Sequence, residues 1–269
     1  MIRNPLATWS TLAVLALVVA CSTVPGTGRS QLNFMSSNQE MSLGAEAYGE
    51  MLAEERLITT GPDAAMIQRI GERIAASAIE LYGSTSDAAK FAWEFTLIDN
   101  DEMVNAWALP GGKTAVYTGL LPVTQDEDSL AMVMGHEIGH AIARHGAERM
   151  SHGMALSVGM MGAQLSMKDM EPEKRNTIMA GLGLGSTVGV MLPFSRHHES
   201  EADEIGLMMA ANAGYNPESA IGLWERMGAM SGGAPPEFLS THPSSDTRIE
   251  RLSALMPEAN KLYRRALRR

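Results

Sequence analysis

The sequence holds one cysteine, Cys21, so no disulfide can form within the chain. Aromatic residues are scarce, at 5%, and basic residues are outnumbered: 21 Lys and Arg face 31 Asp and Glu, a formal charge of −10. That balance argues against a nucleic-acid partner. The one cationic cluster is the tail KLYRRALRR (residues 261–269), which reads as a solvated helix end or as a contact for anionic lipid. Internal repeats are absent, and beyond Cys21 no apolar run approaches the roughly 20 residues that span a bilayer. What remains, in 269 residues with 45% apolar composition, is enough for one large domain with its own core.

The N-terminus is a different kind of segment. Arg3 precedes LAVLALVVA (residues 12–20), an apolar stretch too short to span, and small residues lead into Cys21. The run VVAC resembles a bacterial lipobox, in which the chain is cut before a cysteine that is then lipidated. The plainer reading is a secretory signal with a chance cysteine. The lipobox reading makes residues 1–20 a signal peptide and Cys21 the acylated residue. Ser22, where Asp is absent, resembles the outer-membrane sorting pattern of Gram-negative lipoproteins. A location on the outer membrane, facing the periplasm, is therefore expected. Residues 21–36, rich in Ser, Thr and Gly, predict a tether, and residues 37–269 the folded domain.

Ser37 and Glu40 have capping-box spacing and predict a helix to about Leu57; Pro62 opens a second, with Ile67, Ile70, Ile74 and Ala78 at helical spacing. The period then changes. FAWEFTLID (residues 91–99) alternates as a strand does, and VNAWAL and KTAVYT, joined by Pro110-Gly111-Gly112, predict a hairpin. Past Pro122 the pattern is helical, with a second capping box at Thr124 and Glu127 opening a helix to about Met150. A small sheet beside many helices gives an α+β class.

HEIGH, residues 136–140, carries the chemistry. On a helix, positions four apart lie about 40° apart, so His136 and His140 project side by side and can take adjacent corners of a zinc tetrahedron. Glu137 points toward the same ion without binding it, where a carboxylate can deprotonate water. From Leu130 to Ala143 these three are the only ionisable residues, so the helix is buried. Three unpartnered buried polar groups would cost several kcal/mol, and a metal ion satisfies all of them. His145, nine residues past His136 on the same predicted helix, faces away and reads as structural; His152 reads as solvated. A third ligand is expected within SRHHESEAD, where geometry leaves His197, His198, Glu199 and Glu201 open, with Ser195 as a helix cap.

HEIGH followed by ESEAD (residues 199–203) resembles the HtpX/Ste-type zinc metallopeptidases, which include CAAX prenyl endopeptidases and Oma-type mitochondrial proteases. NAWALPGGKTAVYTGLL and THPSSDTRIERL resemble two further elements of that family, in the same order. The resemblance implies a gluzincin-like zincin domain, one Zn2+ per chain held by His136, His140 and Glu199, and Glu137 as the base. It also implies Asp203 as the residue orienting a zinc histidine, and Arg248 as support around His242. His242 is then either an oxyanion donor or a fourth ligand that closes the site; its plain reading is a surface turn. Asn105 and Ala106 become groove residues, and the strand at residues 113–118 the edge on which an extended substrate adds. Family members with spanning helices differ from this chain, and so do relatives with tetratricopeptide repeats, so the lipid-anchored YggG (LoiP)-type branch is the nearest resemblance. The function implied is endoproteolysis of unfolded or misassembled envelope proteins. A latent or non-proteolytic zinc-containing chaperone and a hydrolase of cell-wall peptides are the competing readings. Residues 153–192, rich in Met and Gly, predict a helical hairpin, either core or an adaptable lid over the groove or the membrane.

Overall fold

Among the described residues, strands stop at residue 117 and helices take over, as the helical pattern past Pro122 predicts. The computed structural model describes residues 21–186, 192–230, 238, 240, 242 and 246–269. Residues 1–20, expected as a signal peptide, lie outside them. Strands β1 (Cys21–Thr23) and β2 (Ser30–Leu32) pair as an antiparallel hairpin. The composition of residues 21–36 predicts a free tether, but the structure docks them. Val24 and Gln31 are buried, and the Phe34 N–H donates to Ser151 Oγ at 2.9 Å. The polar side chains that suggest a linker bond to the domain instead of to water.

Helix α1 (Ser37–Leu52) is capped one residue earlier than predicted: Ser36 accepts from the Gln39 N–H, and Gln39 returns the bond to the Ser36 N–H. Glu40, freed from capping, is buried against Arg144, which donates Nε at 2.6 Å. The helix stops at Leu52, because Leu57 and Ile58 form strand β3 (Leu57–Ile58). Helix α2 (Pro62–Tyr82) starts at Pro62 as predicted and turns Ile67, Ile70 and Ile74 into the core.

Strands β4 (Glu94–Ile98), β5 (Ala106–Leu109) and β6 (Lys113–Tyr117) join β3 in a mixed sheet of order β3-β4-β6-β5. Gly111 and Gly112 make the β5–β6 turn at φ of 88° and 83°, which side chains resist. The predicted edge is corrected here. β6 lies inside the sheet, parallel to β4 and antiparallel to β5, with every residue buried; β5 is the outer strand. Parallel pairing of strands distant in sequence covers the side of β6 that the hairpin alone leaves open.

Helix α3 (Glu127–Ile142) carries HEIGH through the centre of the molecule, buried from Ser129 to Gly139. Its cap is Asp126, which accepts from the Ser129 N–H at 2.7 Å; Thr124 instead closes a single preceding turn. The helix ends well short of Met150. Arg144 takes a left-handed φ of 58°, a conformation unfavourable for a side chain, and is held there by Glu40 and by the Met35 carbonyl.

A new helix, α4 (His145–Ser166), starts at once and forms a hairpin with α5 (Pro172–Ser186). Met filler in core helices is not what this segment is. Met150, Met154, Val158, Met161 and Leu165 recur at helical spacing along one face of α4 and are exposed. Helix α6 (Leu192–Asn212) begins before Ser195, which is therefore inside it rather than its cap. Helices α7 (Ser219–Ala229) and α8 (Asp246–Ala266) complete the described residues. None of the described helices is long and apolar enough to cross a membrane.

The packing of α3 on α6 is the most extensive between any two elements and rests on glycine. A Cβ at Gly135 would meet the Gly206 carbonyl oxygen at 2.8 Å, and one at Gly139 would meet the Ala202 oxygen at the same distance. Backbones this close bring the side chains one turn away on both helices to a single point.

Candidate metal centre

That point is the cluster His136, His140, Glu199 and His242. One ligand atom from each lies within 4.8 Å of all the others. The Nε2 atoms of His136 and His140 are 3.2 Å apart. Glu199 places Oε2 at 3.4 Å from His136 Nε2 and Oε1 at 3.4 Å from His140 Nε2. Of the four candidates left open by spacing, the way α6 lies on α3 brings Glu199 to the two histidines. His197 is exposed, while His198 and Glu201 turn to Glu148 and His145. His242 closes the fourth side, its Nε2 4.0 Å from Glu199 Oε1 and 3.7 Å from Glu137 Oε1. A plain surface turn is excluded for it, since its ring stacks on buried Phe238 at 4.8 Å.

Burial opposes charge on Glu199, but the facing His136 and His140 outweigh it and hold the carboxyl well below the usual range. Its Oε2 nevertheless makes no hydrogen bond. A buried carboxylate that faces an imidazole nitrogen with each oxygen, one of them outside any hydrogen bond with Arg248 Nη1 3.5 Å away, is a site that a metal ion fits. Burial also pushes Glu137 up to about 7, against the lowering effect of His136 and with a further push from Glu199. Its Oε1 has no hydrogen-bond partner either. The Ala108 amide on β5 lowers Glu137 somewhat, which places the outer strand beside this carboxylate.

His136 turns its other nitrogen, Nδ1, to Asp203 Oδ1 at 2.9 Å. Arg248 grips Asp203 with both faces of its fork, Nε to Oδ2 at 2.7 Å and Nη2 to Oδ1 at 2.6 Å, and lies over the Trp224 ring at 3.6 Å. Burial raises the Asp203 pKa, but Arg248 and His136 overcome it and leave the group at about 2.

His145 is misplaced by the sequence reading. A continuous helix would point it away from the cluster, but the break at Arg144 swings it back, and its Nδ1 lies 2.8 Å from His140 Nδ1. The Asn105 carbonyl bonds to the Tyr117 N–H, so ladder alternation turns the backbone of Ala106 and Ala108 to the open edge of β5. The Ala106 N–H there is taken by the Asn105 side chain at 2.9 Å, and the Ala106 side chain is buried.

A model of peptidase family M48 matches residues 63–256, most of the chain and all of the cluster. This chain belongs to peptidase family M48. Among its M48 relatives is the mitochondrial metalloendopeptidase OMA1 of Schizosaccharomyces pombe, 36% identical over 241 residues, which are 88% of this chain and 66% of the relative. OMA1 of Saccharomyces cerevisiae is 32% identical over 252 residues, 89% of this chain and 70% of its own. The beta-barrel assembly-enhancing protease of Escherichia coli K12 is 29% identical over 240 residues, 87% of this chain and 47% of that protein. The chain therefore spans between 47% and 70% of these relatives' lengths. The M48 match leaves the N-terminal hairpin outside it.

Proposed function

We propose that the chain is a zinc metalloendopeptidase that hydrolyses internal peptide bonds of unfolded or misassembled envelope proteins. The observation that carries this reading is the triangle of His136, His140 and Glu199 beside Glu137. The two Nε2 atoms are 3.2 Å apart and each lies 3.4 Å from its nearer Glu199 oxygen, close to the roughly 3.3 Å expected between neighbouring ligand atoms of a tetrahedral zinc bound at ~2.0–2.1 Å. Two imidazoles and a carboxylate are also a common catalytic donor set for zinc. Zinc bound there supplies Lewis-acid polarisation of the scissile carbonyl and acidifies the attacking water.

The chain's own groups do the rest. Glu137, lifted toward neutrality by burial, accepts the proton of the attacking water and hands it to the leaving amine. Asp203 accepts from His136 Nδ1, which leaves Nε2 as the ligand atom, and Arg248 holds Asp203 ionised. An extended peptide adds to the open edge of β5 through backbone bonds, alongside Glu137, and displaces the Asn105 side chain from the Ala106 N–H. Recognition through backbone tolerates many side-chain sequences, which suits unfolded clients.

His242 occupies the fourth side of the cluster, and four protein ligands leave no open position for water. This favours a latent form in which His242 is a latch and must swing out before turnover. The lipobox at Cys21 supports an outer-membrane lipoprotein facing the periplasm, akin to the YggG (LoiP)-type branch, with the membrane as its second partner. The test uses purified full-length chain, as wild type and as Glu137→Gln, with zinc content and cleavage of an unfolded protein measured together. About one zinc in both, with cleavage in the wild type alone, is the expected result. Absence of zinc from the wild type would end this reading.

A further inference from the structure

Two of the cluster's three histidines, His136 and His140, are each backed by a hydrogen-bonded chain that ends in an arginine. His136 is backed by Asp203 and Arg248, from the C-terminal helix α8. His140 is backed differently. Its Nδ1 meets His145 Nδ1 at 2.8 Å, and His145 Nε2 meets Glu201 Oε2 at 3.0 Å. Glu201 in turn accepts from Arg29 Nε at 2.9 Å and from the Thr27 hydroxyl, both on the docked N-terminal hairpin. The same guanidinium forks onto Glu148, Nη1 to Oε1 at 2.7 Å and Nη2 to Oε2 at 2.6 Å. Glu148 also receives His198 Nε2 at 2.9 Å, and the His198 ring stacks on His145 at 4.0 Å, almost parallel. His145, Glu148, His198 and Glu201 are all buried, so this is a built assembly rather than a surface contact.

The proton positions follow from the partners. A carboxylate only accepts, so His145 carries its proton on Nε2, toward Glu201. Two facing Nδ1 atoms at 2.8 Å share one proton. A neutral His145 has only a lone pair left at Nδ1, and so that shared proton belongs to His140. A ligand atom at Nε2 must be bare, which likewise puts the shared proton on His140 Nδ1. His140 is thereby fixed as the tautomer whose bare nitrogen is Nε2, the atom that faces His136 and Glu199.

We propose that His145, Glu201 and Arg29 are positioning residues for His140, so that the N-terminal hairpin sets the orientation and tautomer of one metal ligand. This rests on the metal-site reading of the cluster. None of the three touches the reacting atoms; they act through His140. The left-handed break at Arg144 is what makes the relay possible, since an unbroken helix would carry His145 to the opposite side.

The experiment is competition for Zn2+ against a chromophoric chelator, with full-length protein and zinc alone as the probe. His145→Ala is expected to bind zinc roughly 10–100-fold more weakly, the usual effect of losing such a partner. His145→Asn should recover part of that loss, because its amide oxygen can accept the His140 proton although it falls short of Glu201. Arg29→Ala should weaken zinc binding by a smaller factor, and its effect should largely vanish in the His145→Ala background, as groups in one chain are not additive. Arg69→Ala, which breaks an exposed pair with Glu127 far from the relay, should leave zinc affinity unchanged. If His145→Ala does not fold, Arg29→Ala and His145→Asn carry the test by themselves. Wild-type zinc affinity in a folded His145→Ala, or in both of the other two variants, overturns the proposal while leaving the metal site standing. No zinc on the wild-type protein removes the metal site and this proposal together.

Discussion

Gly206→Ala sets two effects of opposite sign against each other. In an exposed helix the change would stabilise by ~1 kcal/mol, through the lower entropy of the unfolded chain and better helix propensity. At Gly206 the new Cβ would stand 2.6 Å from the Gly135 carbonyl carbon and 2.6 Å from the His136 nitrogen. Ordinary contact begins at 3.4 Å, so α6 and α3 must part by about 0.8 Å in a close-packed interior. Backbone atoms cannot rotate aside, which puts the overpacking cost near the upper end of the usual ~1–3 kcal/mol. The clash wins, and a net loss of ~1–2 kcal/mol is expected by urea unfolding. The same displacement separates Glu199 on α6 from His136 and His140 on α3. A misplacement near 1 Å typically costs about 10²-fold in rate, so turnover should fall on that scale and zinc affinity with it. Gly159→Ala is the control: it lies on α4 with nothing within 4 Å, and should be neutral or stabilising. A Gly206→Ala protein as stable and as active as the wild type would refute the idea that this glycine crossing builds the site.

Arg248→Ala leaves Asp203 buried without its cation and should cost about 3–5 kcal/mol in urea unfolding; Arg248→Lys should recover only part, since an ammonium cannot form the fork. His242→Ala should keep zinc on three ligands and raise basal cleavage of an unfolded protein. A fall of about 10²-fold would instead make His242 a donor to the transition state. Acid stability follows from Glu148 and Glu201. Burial opposes their ionisation, yet Arg29 and the neighbouring histidines hold both at about 2, against 4.5 in an unfolded chain. Their contribution is complete above about pH 4.5 and is lost as pH falls toward about 2, because the unfolded chain takes up protons first. Urea midpoints followed across that window should fall, and Arg29→Ala should move the fall to higher pH.

The pair His136 and His140 was legible because a local period, 3.6 residues, fixes their relation. Spacing did not single out Glu199, since four candidates share its stretch; the ESEAD resemblance named it, and the close packing of α6 on α3 is what aims it at the two histidines. The hairpin of β5 and β6 could be read from its turn, whereas the parallel neighbour β4 could not, being a long-range pairing with no local signal. His145 was misread for a specific reason. Left-handed positions usually announce themselves as Gly or Asn, and here the position is filled by Arg144. The partners that hold it there, Glu40 and the Met35 carbonyl, are more than a hundred residues away in sequence. The tether was likewise read from composition alone, which does not distinguish polar residues bound to water from polar residues bound to Glu148 and Glu201.

A leash lets a catalytic body wander; a bolt does not. Arg29 is fastened to the domain eight residues after Cys21, a stretch that cannot exceed about 28 Å even when fully extended. An acyl chain on Cys21 would therefore hold the cleft at a nearly constant altitude above the lipid, in a narrow range of tilts. Substrates would be selected first by height: segments that emerge within a few nanometres of the bilayer come within reach, and polypeptides farther out do not.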